Sequence, residues 1–367
     1  MKIFHNLSHD LGRSHSWFYS YEPGWTGVYN VAEADVIPLI PDISSNYDRG
    51  WLRTVVQPHH IILILNVTHA TENFDSGYVR HVEHELEGIT DRFIIAHTNA
   101  NKSAMGSDPR LVYWDCMFDR SRLYFTDYDC IRDLPPQIWT MNTHAGTFAL
   151  SDDRRRISRK FLSAMRVYPT GETVNRRMPL RQRLREHLRD RGGLISHPEQ
   201  SVTFLPQSCD SLALSAILNN TTGVGGAWEP MANCYYDVTA ASIYVETIVS
   251  GHQMHIITEK TWDPLIKRHF ILPFGYPGMI GDLVQDYGVL LPDFIDYSYD
   301  TIPDLEQRFS AYLSSVDQFL ALTVEELQTL VFNHSEMLDH NRSIFFNRGY
   351  HSLYNKVQQA CQQLGWL

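Results

Sequence analysis

The chain has 367 residues, of which 43% are hydrophobic and 20% are charged. These values are ordinary for a folded protein, so they exclude a disordered, collagen-like or fibrous chain and leave room for two hydrophobic cores. The formal net charge of −11 argues against a protein whose whole surface coats nucleic acid or an anionic membrane. A local basic site remains compatible with that charge.

Neither a membrane segment nor a disulfide framework is predicted. The longest apolar run, Ile61–Val67, is far shorter than the roughly 20 residues that cross a bilayer. Polar residues follow directly after Phe4, which argues against a secretory signal. The five cysteines are odd in number and form no CxxC pair, so we expect no zinc site and a reducing compartment, the cytoplasm.

The first 145 residues alternate short apolar runs with helical or loop-like stretches. This rhythm predicts βα units on a mostly parallel sheet. The predicted strands are Met1–Phe4, Asp35–Ile40, Ile61–Val67, Arg92–His97 and Leu111–Trp114. Between two of them, apolar residues recur with a helical period across Ser76–Gly88, which predicts a helix packed on the sheet.

A basic segment separates the two halves of the chain. Arg154–Arg191 contains 13 of the 31 basic residues and is predicted to lead into a second domain. Pro179 suits the first turn of a helix there, and Gly192-Gly193 suits its end. Leucines at every fourth position are expected to face a core. A solvated helix face explains most of the arginines, although one or two reaching a phosphate stays open.

The second half repeats the α/β rhythm. Its predicted apolar strands are Ser242–Val249, Met254–Ile257, Phe270–Phe274 and Val289–Leu291, and its predicted helices are Glu259–Arg268, Gly278–Tyr287, the region after Pro303 and Tyr350–Leu364. We therefore predict an α/β fold of two Rossmann-like domains, residues 1–150 and 151–345, with a C-terminal helical segment at 346–367.

The most informative segment reads IITEKTWDPL and begins at Ile256. An apolar strand is predicted to end at Thr258 and to pass into a helix, whose N-terminal amides and dipole attract anions. Lys260 adds a full positive charge, and Glu259 can accept hydrogen bonds from the two hydroxyls of a ribose. Together they suit a nucleoside diphosphate, although an ordinary helix N-terminal charge pair explains the same spacing equally well.

The pattern Glu-Lys-Thr-x-x-Pro-Leu, followed by a strand that ends Pro-Phe-Gly, resembles the donor-binding domain of GT-B glycosyltransferases. It is most similar to fucosyltransferase-like enzymes and to bacterial and viral glycosyltransferases with the same Glu-Lys-Thr motif. The resemblance extends over roughly Arg159–Asn341. The further matching segments are Asp296–Asp300, Arg308 and His340-Asn341. The resemblance implies two facing domains with the nucleotide sugar in the second, and a C-terminal helix that crosses back to the first.

The resemblance also implies roles for single residues. Lys260 is expected to contact the diphosphate of the donor and Glu259 its ribose, with Thr258 and Thr261 in the same turn. Glu246 matches a second acidic position that precedes the motif, and we expect Glu246, Thr258 and Thr261 to belong to the donor-binding site as well.

One cationic position is ambiguous. Arg166 resembles the arginine that helps to neutralise the leaving diphosphate. Family members also carry a His-Arg pair after this position, where this chain has Asn175-Arg176-Arg177. Arg177 therefore stays open as the alternative to Arg166.

Sugar transfer requires fixed positive charge on the departing diphosphate, here without a metal, and a base for the acceptor hydroxyl. Such groups lie beyond the carboxyl ends of strands in open α/β sheets. Glu72, after the third predicted strand, and Asp10, after the first, are the candidate bases. Inversion at the anomeric carbon is implied by the likeness to fucosyltransferases.

Alternatives remain from the sequence. Asp127 and Asp129 form an Asp-x-Asp triplet, by which GT-A glycosyltransferases hold a divalent metal, although the Glu-Lys-Thr segment lies in the wrong half for that fold. A non-catalytic nucleotide-sugar or glycan-binding protein would keep the donor pocket and lack the base. The acceptor is predicted to be a glycan. If the basic segment Arg154–Arg191 binds along DNA, the acceptor would instead be a hydroxymethylated base. The net charge of −11 argues against this DNA alternative.

Overall fold

The computed structural model describes residues 1–4, 25–28, 30–39, 49–66, 76–97, 108–115, 118, 157–165, 177–195, 236–250, 255–347 and 353–367. These residues fall into two compact units. The first unit contains the described parts of Met1–Asp119, His252–Ile256 and Gly349–Leu367. The second contains the described parts of Arg120–Gly251 and Ile257–Arg348.

Strands and helices occur in both units. The described strands are β1 (Lys2–Phe4), β2 (Thr26–Val28), β3 (Val36–Leu39), β4 (Ile61–Asn66), β5 (Phe93–His97), β6 (Leu111–Tyr113), β7 (Arg159–Ser163), β8 (Leu194–Ile195), β9 (Thr239–Val245) and β10 (Phe270–Phe274). The described α-helices are α1 (Arg49–Val55), α2 (Ser76–Glu85), α3 (Arg177–Leu188), α4 (Glu259–Ile266), α5 (Met279–Tyr287), α6 (Leu305–Ala321), α7 (Val324–Asn333), α8 (Ser335–Asn347) and α9 (Leu353–Gln363).

The first unit contains a six-stranded sheet with the order β2-β1-β3-β4-β5-β6, and all its described pairings are parallel. The side chains of Ile61–Leu65 on β4 and of Phe93–His97 on β5 are all buried. Continuous apolar strands of this kind are typical of parallel sheets covered on both faces. The predicted parallel sheet is confirmed. β2 was not predicted, because three residues that include Gly27 show no pattern.

Helix α2 packs on this sheet, as its periodicity predicts. Val79, Val82 and Leu86 are buried in one cluster with Ile62 and Phe93. The helix ends at Glu85, three residues before the predicted end, and the turn after it closes at Gly88 with a φ of 71°. Glycine adopts this left-handed conformation without a steric penalty.

The second unit contains a four-stranded parallel sheet with the order β10-β9-β7-β8. All seven residues of β9 are buried, which fits a strand covered on both faces. After Pro303 the chain is helical, as predicted, with Asp304 capping α6 and a Thr323–Glu326 capping box starting α7. The α/β class with parallel sheets is therefore confirmed.

Two predicted strands of the second half are wrong. Residues 255–257 and Val289–Leu291 belong to no strand. The backbone of Leu290 pairs with a side chain instead, since its N–H donates to Asn341 Oδ1 and its carbonyl accepts from Asn341 Nδ2, both at 2.8 Å. The amide side chain of Asn341 offers one acceptor and one donor. It therefore satisfies the backbone groups of Leu290 that a neighbouring strand would bind if Val289–Leu291 were a strand.

Two tyrosine hydroxyls bind carbonyls of β10, the edge strand of the sheet formed by the described residues. Tyr297 donates its hydroxyl to the carbonyl of Ile271 at 2.8 Å, and Tyr299 donates to the carbonyl of Pro273 at 2.7 Å. Burial raises the pKa of both phenols, so they remain donors. Pro273 has no N–H to expose, which suits an edge strand. Capped carbonyls leave this edge little capacity to pair with another chain.

The C-terminal helix α9 belongs to the first unit. Lys356 on α9 donates its ammonium to the carbonyl of Tyr113 on β6 at 2.5 Å. Beyond the helix, the carbonyl of Trp366 accepts from the guanidinium of Arg92 at 3.0 Å. Within the described part of the chain, no helix combines the length and the apolar character needed to span a bilayer.

Candidate functional site

The candidate site lies in the second unit, where β9 ends and α4 begins. β9 runs between β10 and β7 and ends at Val245. Thr258 caps α4, which begins at Glu259. Ligands of open α/β sheets bind beyond the carboxyl ends of the strands, and this is such a position.

The way the chain enters α4 differs from the prediction. The sequence predicts an apolar strand that ends at Thr258, whereas residues 255–258 have no strand conformation. The N–H of Thr258 donates to the carboxylate of Glu246 at 3.1 Å. A side chain just beyond β9 therefore holds the start of the helix, and strand pairing does not.

Glu246 lies under the turn with no exposed surface. Its Oε1 accepts hydrogen bonds from Thr258 N at 3.1 Å and from Thr261 Oγ1 at 2.7 Å. Its Oε2 accepts from Thr258 Oγ1 at 2.6 Å and from Thr247 N at 2.9 Å. Four neutral donors thus fill the four acceptor directions of one carboxylate.

Both threonines of the motif belong to this network. Thr258 also accepts from the N–H of Lys260, at 3.4 Å, which makes it the N-cap of α4. Thr261 accepts from the hydroxyl of Tyr244 at 2.9 Å while it donates to Glu246. The structure therefore brings together Glu246, Thr258 and Thr261, and it places all three inside the protein.

Glu259 and Lys260 are the two charged residues of the turn that reach solvent. Their side chains are 17% and 19% exposed, and Lys260 Nζ lies 2.5 Å from Glu259 Oε1. The N-terminal end of a helix dipole favours the carboxylate of Glu259. The ammonium of Lys260 is therefore paired with the carboxylate of Glu259, and both side chains keep part of their surface in solvent.

Arg181 is a site residue that sequence reasoning missed. Its side chain is 3% exposed, and it donates to the carbonyls of Val245 at 3.2 Å and Glu246 at 3.3 Å. The sequence predicts a solvated position for most arginines of this helix. Its spacing, three residues before Leu184 and seven before Leu188, is the signal that places it on the inward face of α3.

Other basic residues of α3 and the turn after it bind α6. Arg183 pairs with Glu306 at 2.7 Å. His187 lies 2.8 Å from Asp317, which also pairs with Arg191. Arg183, His187 and Arg191 thus stabilise the packing of α3 and the turn after it against α6.

The next helix N-terminus, that of α5, is filled by the protein itself. The carboxylate of Asp300 accepts from the N–H of Ile280 at 3.0 Å, and Asp300 is 6% exposed. Burial raises the pKa of Asp300 to about 6, although the N–H groups of Ile280 and Gly281 and the charge of Arg308 favour its ionised form. The segment Asp296–Asp300, matched to the family from sequence, therefore caps α5.

Arg308, the following matched residue, is buried and binds carbonyls. Its guanidinium donates to Val249 at 2.5 Å, to Ile302 at 2.8 Å and to Pro303 at 3.2 Å. Burial lowers its pKa. The last matched pair, His340-Asn341, lies on α8, where His340 Nε2 is 2.9 Å from the carbonyl of Gly288. These residues stabilise the unit around the candidate site.

Several predicted site residues lie outside the described part of the chain, and they are Asp10, Glu72, Asp127, Asp129 and Arg166. Arg177 is described and begins α3, one turn before Arg181. In the described ranges, no group of three or more His, Cys, Asp or Glu residues is placed to hold a metal ion.

No protein-family model and no curated protein matches the chain. The solved structures that are similar to it include two of fucosyltransferases. A crystal structure of an α1,3-fucosyltransferase has 12% sequence identity and a TM-score of 0.43 over 99% of this chain and 89% of that one. A crystal structure of an α1,3-fucosyltransferase with GDP has 11% identity and a TM-score of 0.36 over 96% and 92%. Scores this low do not by themselves decide fold or activity.

Proposed function

We propose that this protein is a glycosyltransferase of the GT-B type, which moves a sugar from a nucleoside-diphosphate donor to an acceptor hydroxyl between two facing domains. The observation that carries the proposal is the Glu259–Lys260 pair. A carboxylate and an ammonium, on side chains that are 17% and 19% exposed, lie side by side at the N-terminus of α4. The Glu-Lys-Thr resemblance assigns these two groups to the ribose and the diphosphate.

The donor-side chemistry follows from these charges. When the bond between the anomeric carbon and the diphosphate oxygen breaks, negative charge grows on the leaving diphosphate. Lys260 and the helix dipole of α4 stabilise that charge at a fixed position. Arg166, or Arg177 in its place, supplies the second positive charge. Glu259 accepts hydrogen bonds from the ribose hydroxyls.

The acceptor side needs one proton acceptor. In the proposed inverting step, the acceptor oxygen attacks the anomeric carbon while a carboxylate takes its proton, and the nucleoside diphosphate departs from the opposite face. Glu72 and Asp10 are the candidates. We expect Glu72→Ala or Asp10→Ala to abolish slow donor hydrolysis and sugar transfer while donor binding is kept. Binding without any turnover in the unaltered protein would favour the non-catalytic nucleotide-sugar-binding alternative.

A glycan acceptor is favoured over DNA. The reason is that Arg181, Arg183 and Arg191 already bind groups of their own unit, so the basic segment offers less free charge to a polyanion. Binding to DNA through several phosphates would weaken steeply as salt is added. We expect transfer to a small glycan to change little between low and moderate salt.

The metal-dependent GT-A alternative rests on Asp127 and Asp129. It predicts that EDTA stops sugar transfer and that added Mg²⁺ or Mn²⁺ restores it. Our proposal predicts transfer in the presence of EDTA, because Lys260 and an arginine take the place of the metal on the diphosphate.

The decisive experiment is nucleotide binding by calorimetry, with GDP, UDP and ADP, to the unaltered protein and to Lys260→Ala. A charge-assisted hydrogen bond contributes about 1.5–3 kcal/mol, so we expect a loss of about 10- to 100-fold in affinity. Arg183→Ala is the matched control, because it also removes one cation that pairs with a glutamate. Equal binding by Lys260→Ala and the unaltered protein would overturn the proposed function.

A further inference from the structure

The turn that carries Glu259 and Lys260 is built around a carboxylate that no ligand can reach. We propose that Glu246 is the positioning residue of the donor site, acting through Thr258 and Thr261 rather than on the donor itself. The inference rests on the proposed function. It differs from the sequence prediction, which expects Glu246 among the groups that bind the donor.

The carboxylate of Glu246 is enclosed by the protein. Glu246 is 0% exposed, whereas its neighbours across the turn, Glu259 and Lys260, are accessible. All four acceptor directions of its carboxylate are filled by protein donors at 2.6–3.1 Å. A carboxylate so enclosed has no acceptor direction left for a ribose hydroxyl.

Hydrogen bonds connect Glu246 to Lys260 through Thr258. Thr258 is bound twice, with its N–H on one carboxylate oxygen and its hydroxyl on the other. The same hydroxyl accepts from the N–H of Lys260. Two successive hydrogen bonds therefore connect the buried carboxylate to the backbone of the lysine. Thr261, one residue beyond Lys260, is held by the same carboxylate.

The backbone of Glu246 is also held in place. Arg181 donates to the carbonyls of Val245 and Glu246 from α3. Thr247 donates its N–H to the carboxylate of Glu246. Since main chain and side chain are both anchored, the carboxylate has a fixed position against which the first turn of α4 is set.

This geometry makes glutamine a poor replacement, although it has nearly the same shape. Each oxygen of Glu246 accepts from one backbone N–H and one hydroxyl. A hydroxyl can rotate to accept, but a backbone N–H cannot. Whichever way the amide of Glu246→Gln is oriented, its NH₂ group therefore faces a backbone N–H, that of Thr258 or that of Thr247.

The test is a double-mutant cycle of Glu246→Gln and Lys260→Ala, read out as the affinity for GDP, UDP and inorganic pyrophosphate. We expect Glu246→Gln alone to weaken diphosphate binding about tenfold. In the Lys260→Ala background the same change should alter affinity less than about twofold, because the cation that Glu246 positions is gone. A purely structural role would weaken binding by the same factor in both backgrounds.

A matched control separates position from stability. Tyr312→Phe removes a buried hydroxyl of the same unit, which donates to the carbonyls of Leu272 and Tyr244. We expect this variant to melt at a lower temperature and to bind the nucleotides as the unaltered protein does. If Tyr312→Phe weakens binding as much as Glu246→Gln does, general destabilisation explains both and the inference is overturned.

Thr258→Val is a second variant for the same test, and Lys260→Ala alone tests the proposed function. If Glu246→Gln does not fold, Thr258→Val replaces it in the cycle, because it removes the hydroxyl that links Glu246 to the N–H of Lys260. Additive effects with Lys260→Ala would again overturn the positioning role. If Lys260→Ala itself leaves binding unchanged, the proposed function fails, and that result is visible without Glu246→Gln.

Discussion

Helices α4 and α5 begin at the same end of one sheet, after neighbouring parallel strands, yet their N-termini differ. At α5 the protein places the buried carboxylate of Asp300 on the amide of Ile280. At α4 the buried carboxylate of Glu246 binds the cap residue and two hydroxyls, and a partly exposed lysine follows. At α5 the acid occupies the helix N-terminus itself, whereas at α4 Glu246 lies beneath the first turn and does not occupy the end of the helix. The N-terminus of α4 is therefore the candidate anion site.

The turnover number kcat should distinguish the N-terminus of α4 from that of α5. With whichever nucleotide sugar is hydrolysed or transferred, we expect Lys260→Ala to lower kcat by about 100-fold, as when one charge-stabilising donor is removed from an active site. Asp300→Asn should stay within about threefold, because it changes the end that the protein fills itself. Equal losses in the two variants would remove the distinction between the helix ends.

The buried carboxylate of Asp300 also makes the stability of the protein depend on pH. The pKa of Asp300 is about 6 in the folded protein, above the ordinary value of 3.8. Its contribution to stability is therefore fully present below the ordinary value and is lost as the pH rises through 6. Relative to Asp300→Asn, we expect the free energy of unfolding to fall by about 2 kcal/mol between pH 4 and pH 8.

Urea unfolding of the unaltered protein and of Asp300→Asn at several pH values measures the difference in the free energy of unfolding. Asp293→Asn, which changes an exposed acid of the same unit, serves as the control. A difference that does not change with pH would mean that Asp300 is solvated as an ordinary carboxylate.

The C-terminal ends of the two helices give the next prediction. α5 ends at Gly288 with a φ of 71°, and α4 ends before Arg268, which has a φ of 61°. A side chain in this left-handed region costs about 1 kcal/mol, so Gly288→Ala should lower the free energy of unfolding by about that amount. Space is not the cause, because nothing lies within 4 Å of the added methyl group.

The converse change, Arg268→Gly, should be nearly neutral, within about 0.5 kcal/mol. It relieves the backbone strain but removes the ion pair of Arg268 with Asp339, whose side chains are 10% and 55% exposed, so that water screens the pair from the side of Asp339. Denaturant unfolding of Arg268→Gly and Gly288→Ala side by side checks the pair. A loss of several kcal/mol in Arg268→Gly would show that the ion pair outweighs the strain.

The smallest expected effect concerns the partner of Lys260. Glu259→Gln removes a negative charge 2.5 Å from the ammonium, so we expect inorganic pyrophosphate to bind about threefold more tightly. A nucleoside without phosphate should bind more weakly, because the ribose loses an ionised acceptor. Calorimetry with pyrophosphate, guanosine and uridine measures both changes. Weaker binding of pyrophosphate would contradict the assigned division of roles.

Local patterns predicted a large part of this fold. The helical period of Ser76–Gly88 involves residues that are only a few positions apart, and so does the alternation of apolar runs. The parallel sheets and α2 can therefore be predicted from the sequence. The short strands β2 and β8 have three and two residues, too few to show a period. The apolar run Val289–Leu291 looks like a strand, but Asn341, 51 residues from Leu290, takes the place of its partner.

By itself, the sequence determined the α/β class and the position of Glu259 and Lys260 at a helix N-terminus, because periods and caps depend on residues within a few positions. Only the tertiary structure decided that Glu246 lies beneath the turn, 12 residues from Thr258, and that Arg181 points inward to meet it. It also decided that Asp300 fills the N-terminus of α5 from 20 residues away. Such pairings depend on how the chain returns to itself, and no local spacing contains that information.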